Sequence, residues 1–425
     1  MAKEIGLLNK WHELSFNEAV IINPPVKLEK GRCYPFVDMS SLNPGSRWAY
    51  ATEERVFNGS GSRFQHGDTL MARITPCLEN GKISRFHSAE ERTFGFGSTE
   101  FIVIRGRKEY TDNDFVYYLT CSDIVRYFAI AQMRGTSGRQ RVPVDAFKCL
   151  RLRIPPIAEQ KAIAHTLGTL DDKIELNRKM NETLDQMARA LFKSWFIDFE
   201  PVRAKVEGRW KKGQSLPGLP AHLYDLFPDR LVPTELGEIP ELWAIRTLGD
   251  VADVNWGDTN ATKKSYIKNG FPAYSAKGPD GFLPYYDYNR VGVVLSAIGA
   301  NAGYTWLALG KWSCIKNTIR FWCTDENLST EYLFHATKGN NYWPIRGSAQ
   351  PFISQEDAKN VKIILPCHGL GKLFGDLVRP LYEKIFKLKL ESDTIGSIRD
   401  ILLPKLINGE ISIKNAEKFL LEEGL

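Results

Sequence analysis

Residues 154–184 read IPPIAEQKAIAHTLGTLDDKIELNRKMNETL, two prolines followed by a long run with no further proline and a single glycine. From Ile163 the apolar positions continue at Leu167, Leu170 and Ile174, and after Asn177 and Asn181 they resume at Leu184, Ala188, Leu191 and Trp195. Steps of four and three are a heptad seam, here with two polar core positions, and predict one helix over 158 to 197. A helix of about 40 residues is roughly 60 Å long. It cannot bury its seam alone, so a second helix must lie against it.

The C-terminal stretch LFGDLVRPLYEKIFKLKLESDTIGSIRDILLPKLINGEI (373–411) supplies that helix. Leu377, Leu381, Ile385, Leu388, Ile395, Leu402 and Leu406 follow a similar spacing. Pro380 is expected to kink it near its start and Pro404 near its end. An antiparallel pair, one helix central and one terminal, is the simplest closure.

Each helix follows a block of similar order. In the first half GSRFQHGDTLMARITPCLENGK (61–82) leads to FVYYLTC (115–121) and then to RGTSGRQRVPVDAFKCLRLRIPP (134–156). In the second half DYNRVGVVLSAIGANAG (287–303) leads to EYLFHAT (331–337) and RGSAQPFISQEDAKNVKIILP (346–366). Phe115 pairs with Tyr332, Gln140 with Gln350 and Pro155 with Pro366, at offsets of 217, 210 and 211. Segments such as TLMARI, EFIVIRG, VGVVLSAIG and VKIILP are short, β-branched and bounded by Gly, Pro or Asn, the chemistry of strands. The chain therefore reads as an α+β protein, β-rich domain and helix twice over. Between the halves, residues 200–243 are rich in Pro and Gly and carry Arg203, Lys205, Arg209, Lys211 and Lys212, which reads as a linker or partly ordered cover.

A chain of 425 residues exceeds one ordinary core, so two domains are expected. Hydrophobic residues at 43%, charged residues at 25% and a mean hydropathy of −0.28 fit a globular protein and exclude a membrane protein. The net charge of +6 permits a polyanionic partner without requiring one. The seven cysteines are scattered, with no C-x-x-C pair, which disfavours structural zinc and a disulfide framework. The opening MAKEIGLLNKWHELSF lacks the apolar core of a signal peptide, so a cytoplasmic, thiol-reduced location is expected.

A search for catalysis finds little. NPPV (23–26) is similar to the Asn-Pro-Pro-aromatic loop of amino-methyltransferases, but Val26 replaces the aromatic and no Gly-rich cofactor loop accompanies it. FGFGSTEF (94–101) leads into a strand and not a helix, so a turn explains it better than a nucleotide loop. No G-x-x-x-x-G-K-[ST] is present. DFEPVRAK (198–205) has the wrong order and spacing for a nuclease cluster. What remains is recognition. Both halves place a small-residue loop with basic and amide groups before the last strand: Arg134, Arg139, Gln140 and Arg141 in the first, Arg346 and Gln350 in the second. Arg binds guanine edges bidentately and Gln or Asn binds adenine, while Lys and Arg also meet phosphates. Lys277, Lys316 and Asn317 are further candidates.

The sequence as a whole resembles the specificity subunits of type I restriction-modification systems. The resemblance covers most of the chain and is carried by residues 154–205, by IRDILLPKLINGEI (398–411) and by GSTEFIVIR (97–105). The second half departs from it, with LPCHGLGKLF (365–374) in place of the PPIAEQ opening, which leaves the start of the second helix open. The resemblance implies two target recognition domains, over 1–155 and 238–366, a central helix over 156–200, a linker over 201–237 and a C-terminal helix over 367–425. Each domain would read one half of a split, asymmetric site in double-stranded DNA, with the helices as a ruler between them. The helices would also dock two methyltransferase subunits and, through them, two restriction subunits. No cofactor is expected in this chain; S-adenosylmethionine, ATP and magnesium would belong to those partners. A helical adaptor that binds protein instead of DNA is the alternative, and a self-contained methyltransferase a third reading.

Overall fold

The computed structural model describes residues 11–90, 93–136, 138–235, 237–339 and 342–425. The chain divides into two units. The first comprises the described residues through Arg178 together with Lys389–Leu425, and the second is Lys179–Leu388. Neither long helix is therefore a domain of its own, because each gives one part to either unit.

In the first unit a five-stranded sheet runs in the order Val20–Ile22, Phe101–Gly106, Thr69–Ala72, Ile83–His87, Trp48–Tyr50. A four-stranded sheet follows the order Glu53–Val56, Cys33–Val37, Phe94–Gly97, Ser62–Gln65, with its middle pair parallel. The second unit repeats this topology without a counterpart of the edge strand Trp48–Tyr50. Ala252–Trp256, Thr318–Cys323, Gly292–Ser296 and Thr305–Ala308 form one sheet. Gly278–Leu283, Phe271–Ser275, Lys311–Cys314 and Tyr288–Asn289 form the other, again with a parallel middle pair. The inner strands Thr69–Ala72 and Gly292–Ser296 are buried along their whole length, whereas the edge strand Glu53–Val56 is exposed.

A two-stranded ladder closes each unit, His12–Ser15 on Arg151–Ile154 and Ala244–Thr247 on Lys362–Leu365. The sequence announces both with a buried tryptophan, Trp11 and Trp243, followed by a capping box, Ser15 with Glu18 and Thr247 with Asp250. Each box satisfies two backbone N–H groups at the start of a one-turn helix. The helices Asn113–Cys121 and Thr330–Ala336 are capped by Asp112 and Ser329, so Phe115 and Tyr332 hold the same place in the two units. Pro155 and Pro366 each directly follow the closing strand, as the repeat predicted.

The central helix is Ile157–Phe192, continued by a π-helical turn at Lys193–Ile197, so the expected helix is present with its last turn widened. In the first unit Ile163, Leu167, Leu170, Leu402 and Leu406 lie in the core, with Ile174 packed against it. In the second, Leu184 and Leu191 are half-buried against the core around Ala188, Phe192 and Trp195. The first unit shows the antiparallel direction: Asp171 bonds Arg399, and Asn177 bonds Glu391.

Two expectations are corrected. Leu377 is exposed, and the C-terminal helix instead buries Phe374, Val378 and Tyr382. Gly371 and Gly375 set that face. A Cβ at Gly375 would stand 2.3 Å from the Ser329 hydroxyl oxygen, and one at Gly371 would stand 2.4 Å from Leu328. The same helix spans Leu370–Ile407 and so includes both Pro380 and Pro404. Residues 201–237 are also no linker. Val202, Ala204, Trp210, Leu219, Leu223 and Phe227 are buried in the core of the second unit, and Leu231–Thr234 pairs with Gly237–Pro240. The basic residues of this stretch serve its packing: Lys205 reaches the Phe227 carbonyl and Asp229, Arg209 pairs with Glu200 and Glu207, and Lys212 pairs with Asp225.

His335, in the second unit, stacks on Phe192, and its Nε2 lies 2.7 Å from the Tyr382 hydroxyl. Burial first, and then Lys338, pushes its pKa down to about 3. The unfolded imidazole takes up a proton near pH 6.5 and the folded one does not, so stability is full above about pH 6.5 and falls as pH drops toward 3. Between pH 7 and about pH 5 the second unit is expected to lose about 2 kcal/mol of unfolding free energy to this group. Urea titrations at the two pH values check this, since His335→Gln should remove that part of the difference.

Candidate nucleic-acid interface

Hydrogen bonds gather the loops that carry the sequence-predicted residues at one end of each unit. In the second, the Ala297 N–H donates to the Asn317 carbonyl (3.0 Å), the Ile353 N–H to the Ala297 carbonyl (2.8 Å) and the Gly299 N–H to the Pro351 carbonyl (2.9 Å). Asn301 Nδ2 donates to the Ala276 carbonyl at 3.2 Å. Lys277, Lys316, Asn317, Arg346 and Gln350 are thus on loops knit into one cluster. Asn317 adopts a left-handed backbone (φ 72°), which Asn tolerates better than most side chains.

The first unit repeats the pattern. The Arg73 N–H donates to the Glu100 carbonyl (2.9 Å), the Val142 N–H to the Arg73 carbonyl (2.9 Å) and the Thr75 N–H to the Gln140 carbonyl (3.0 Å). Lys82 Nζ donates to the Met39 carbonyl at 2.7 Å. Arg134, Arg139, Gln140 and Arg141 lie on this cluster. Glu100 stands where Asn317 stands in the second unit, since each carbonyl accepts from the residue that follows the equivalent strand. The spacing of GSTEF against CIKNT carried that equivalence in the sequence, and Asn301 and Glu100 were the site residues it left unnoticed.

The four arginines differ in what they touch. Arg141 grips Glu100 through Nε (2.9 Å) and Nη2 (2.7 Å), and this contact holds the Glu100 carboxyl below its ordinary pKa. Arg346 is paired with the buried Asp357 carboxylate. Among the described residues Arg134 and Arg139 have no side-chain partner, and both are exposed. Lys277, Lys316 and Gln350 are exposed as well, while Gln140 and Asn317 are half-buried.

The other motifs resolve into structure. Asn23 of NPPV has φ 49° and brackets Val103, its N–H donating to the Val103 carbonyl (2.7 Å) and its Oδ1 accepting from the Val103 N–H (3.1 Å). Val26 is buried. Gly97 of FGFGSTEF lies so near its parallel neighbour that a Cβ would stand 2.2 Å from the Val37 carbonyl oxygen. Among the described residues no group of three or more His, Cys, Asp or Glu is placed to hold a metal, and no helix is long and apolar enough to cross a membrane.

Two copies of one sheet scaffold, each carrying a loop cluster with basic and amide side chains, make this a tandem-repeat protein. The chain belongs to the family of the type I restriction modification DNA specificity domain, whose family model matches residues 27–186 and 240–385. It is 27% identical over 379 residues to the type I restriction enzyme HindI specificity subunit of Haemophilus influenzae, covering 74% of this chain and 81% of that protein. It is 24% identical over 327 residues to the MjaIX specificity subunit of Methanocaldococcus jannaschii, covering 71% and 70%. A solved structure, the S subunit of a type I restriction-modification system from M. genitalium, shares the fold with a TM-score of 0.56 at 17% identity, over 93% of this chain and 96% of that one.

Proposed function

We propose that this specificity subunit reads a split, asymmetric site in double-stranded DNA, one half-site through the loop cluster of each unit. The observation that carries the reading is the repetition of the same hydrogen-bonded loop cluster on two topologically matched units. Base edges exposed in a groove are distinguished by guanidinium and amide groups of the kind displayed there. The long helices act as the ruler, because each passes without a break from the residues of one unit into those of the other. A flexible connector could not fix the axial and rotational spacing that two half-sites require.

The helices further dock two methyltransferase subunits and, through them, two restriction subunits. An apolar groove of about 720 Å³ in the second unit, lined by Met187, Ala190, Leu191, Leu216 and Leu381, suits a hydrophobic partner surface. S-adenosylmethionine, ATP and magnesium chemistry belongs to those partners, and this chain is the non-catalytic reader. Exchange of residues 1 to 153 for those of another reader tests the proposal. One half-site of the methylated sequence is expected to change while the other and the spacer stay the same; a change in both halves, or in neither, contradicts it.

A further inference from the structure

The sequence repeat aligned Gln140 with Gln350, but the geometry of the two loops aligns a different residue. In the first unit Arg134 and Arg141 face each other as a bridge, Arg134 N–H to Arg141 carbonyl at 3.0 Å and the reverse at 2.9 Å, and Arg141 also bridges Ile74. In the second unit Arg346 and Phe352 make the same bridge at 2.9 and 2.8 Å, and Phe352 also bridges Ile298. These are two equivalent hairpins, closed by Arg134 with Arg141 and by Arg346 with Phe352. Two residues before the closing position lie Arg139 and Gln350.

A separate feature gives the same alignment. Each hairpin has a positive-φ glycine directly after its first bridging residue, Gly135 (φ 130°) and Gly347 (φ 78°). A Cβ at Gly135 would stand 3.0 Å from the Arg139 carbonyl oxygen, and one at Gly347 would stand 2.8 Å from the Gln350 carbonyl oxygen. At both positions the backbone of the glycine and the carbonyl of the tip residue thus approach so closely that a side chain on the glycine would crowd it. The second hairpin has one residue fewer between its bridging positions, whereas pairing Gln140 with Gln350 would need two fewer after the opening arginine.

An arginine anchors each hairpin through an acidic partner. Arg141 is clamped on Glu100 and also donates to the Arg139 carbonyl at 3.3 Å. Arg346 is clamped on Asp357, whose other oxygen accepts from the Ser354 hydroxyl at 2.7 Å. The tip side chains are left outward: Arg139 and Gln350 are exposed and have no side-chain partner among the described residues. A held backbone with an unengaged polar head is the condition for a directional contact to a base edge, since little of the geometry must be fixed on binding.

Resting on the split-site reading above, we infer that Arg139 and Gln350 are equivalent specificity-determining residues, Arg139 selecting a guanine in one half-site and Gln350 an adenine in the other. The guanidinium fork matches guanine O6 and N7, and the side-chain amide matches adenine N6 and N7. A bidentate pair of either kind is worth about 10-fold or more in discrimination against the wrong base. Arg141 and Arg346 position the hairpins and make no base contact.

The test uses the subunit assembled with its methyltransferase partners and a panel of duplexes carrying every single base-pair change in the recognised site, scored for methylation rate. Arg139→Gln is expected to shift one position of one half-site from G·C to A·T by about 10-fold or more in relative rate, leaving the other half-site untouched. Gln350→Arg is expected to shift one A·T position of the opposite half-site to G·C. A rate that falls equally on all duplexes is the signature of a phosphate contact and overturns the assignment. So does an unchanged base preference in both variants. Failure of the underlying reading is distinguishable, because the wild-type complex would then show no split site at all.

Discussion

Replacing Arg399 by methionine is expected to destabilise the first unit by about 3–5 kcal/mol, the usual result of leaving one member of a buried ion pair unpartnered. Arg399 Nη1 lies 2.6 Å from Asp171, and the side chains are 12% and 3% exposed. The same Nη1 bonds the Gly45 carbonyl at 2.8 Å, and the other Asp171 oxygen accepts from the Tyr118 hydroxyl at 2.7 Å. This one cluster therefore ties the sheet loop, the helix Asn113–Cys121 and both long helices together within the unit. Burial pushes the Asp171 carboxyl upward against the pull of Arg399, so without the guanidinium it shifts further toward the neutral form. Urea unfolding measures the loss. The double variant Arg399→Met with Asp171→Met is expected to lose less than Arg399→Met alone, because no charge is then stranded. A single-variant loss below about 1 kcal/mol would place the cluster among surface pairs of small value.

The second large effect concerns spacing. Four residues inserted near Asn181, matched by four in the C-terminal helix near Leu388, add about one helical turn, roughly 6 Å, where the two units share the helices. With a base-pair rise of about 3.4 Å the unread spacer is expected to lengthen by about one to two base pairs, both half-sites keeping their sequences. Mapping of methylated bases in DNA exposed to the variant complex reads the spacer directly. Retained methylation at the original spacing would remove the ruler role from these helices.

Much of the architecture was legible because it rests on periodic patterns. The seam from Ile163 to Ile174 and the paired positions Phe115 with Tyr332 and Pro155 with Pro366 follow from local rules of helix spacing, capping and strand ends. The errors arose where a tertiary contact overrides the pattern. Leu377 has the stronger apolar side chain, but the close approach at Gly371 and Gly375 turns Val378 inward in its place. Residues 201–237 have the Pro and Gly content of a connector, whereas Trp210 and Phe227 bury like core residues and were the signal to weigh. In the candidate interface the residues singled out from the sequence lie on loops that hydrogen bonds bring together, but Arg141 and Arg346 look as available in the sequence as Arg134 and Arg139. Only the placement of Glu100 and Asp357, 41 residues before Arg141 and 11 after Arg346, separates anchors from exposed heads.

Single-molecule sequencing of genomic DNA from the source strain, with and without the gene for this chain, tests the central claim most directly. Methylated bases are expected in one split, asymmetric motif with a fixed unread spacer, and that motif is expected to be lost completely on deletion. In a strain whose methyltransferase partners are expressed, a methylation pattern unchanged by the deletion would contradict it.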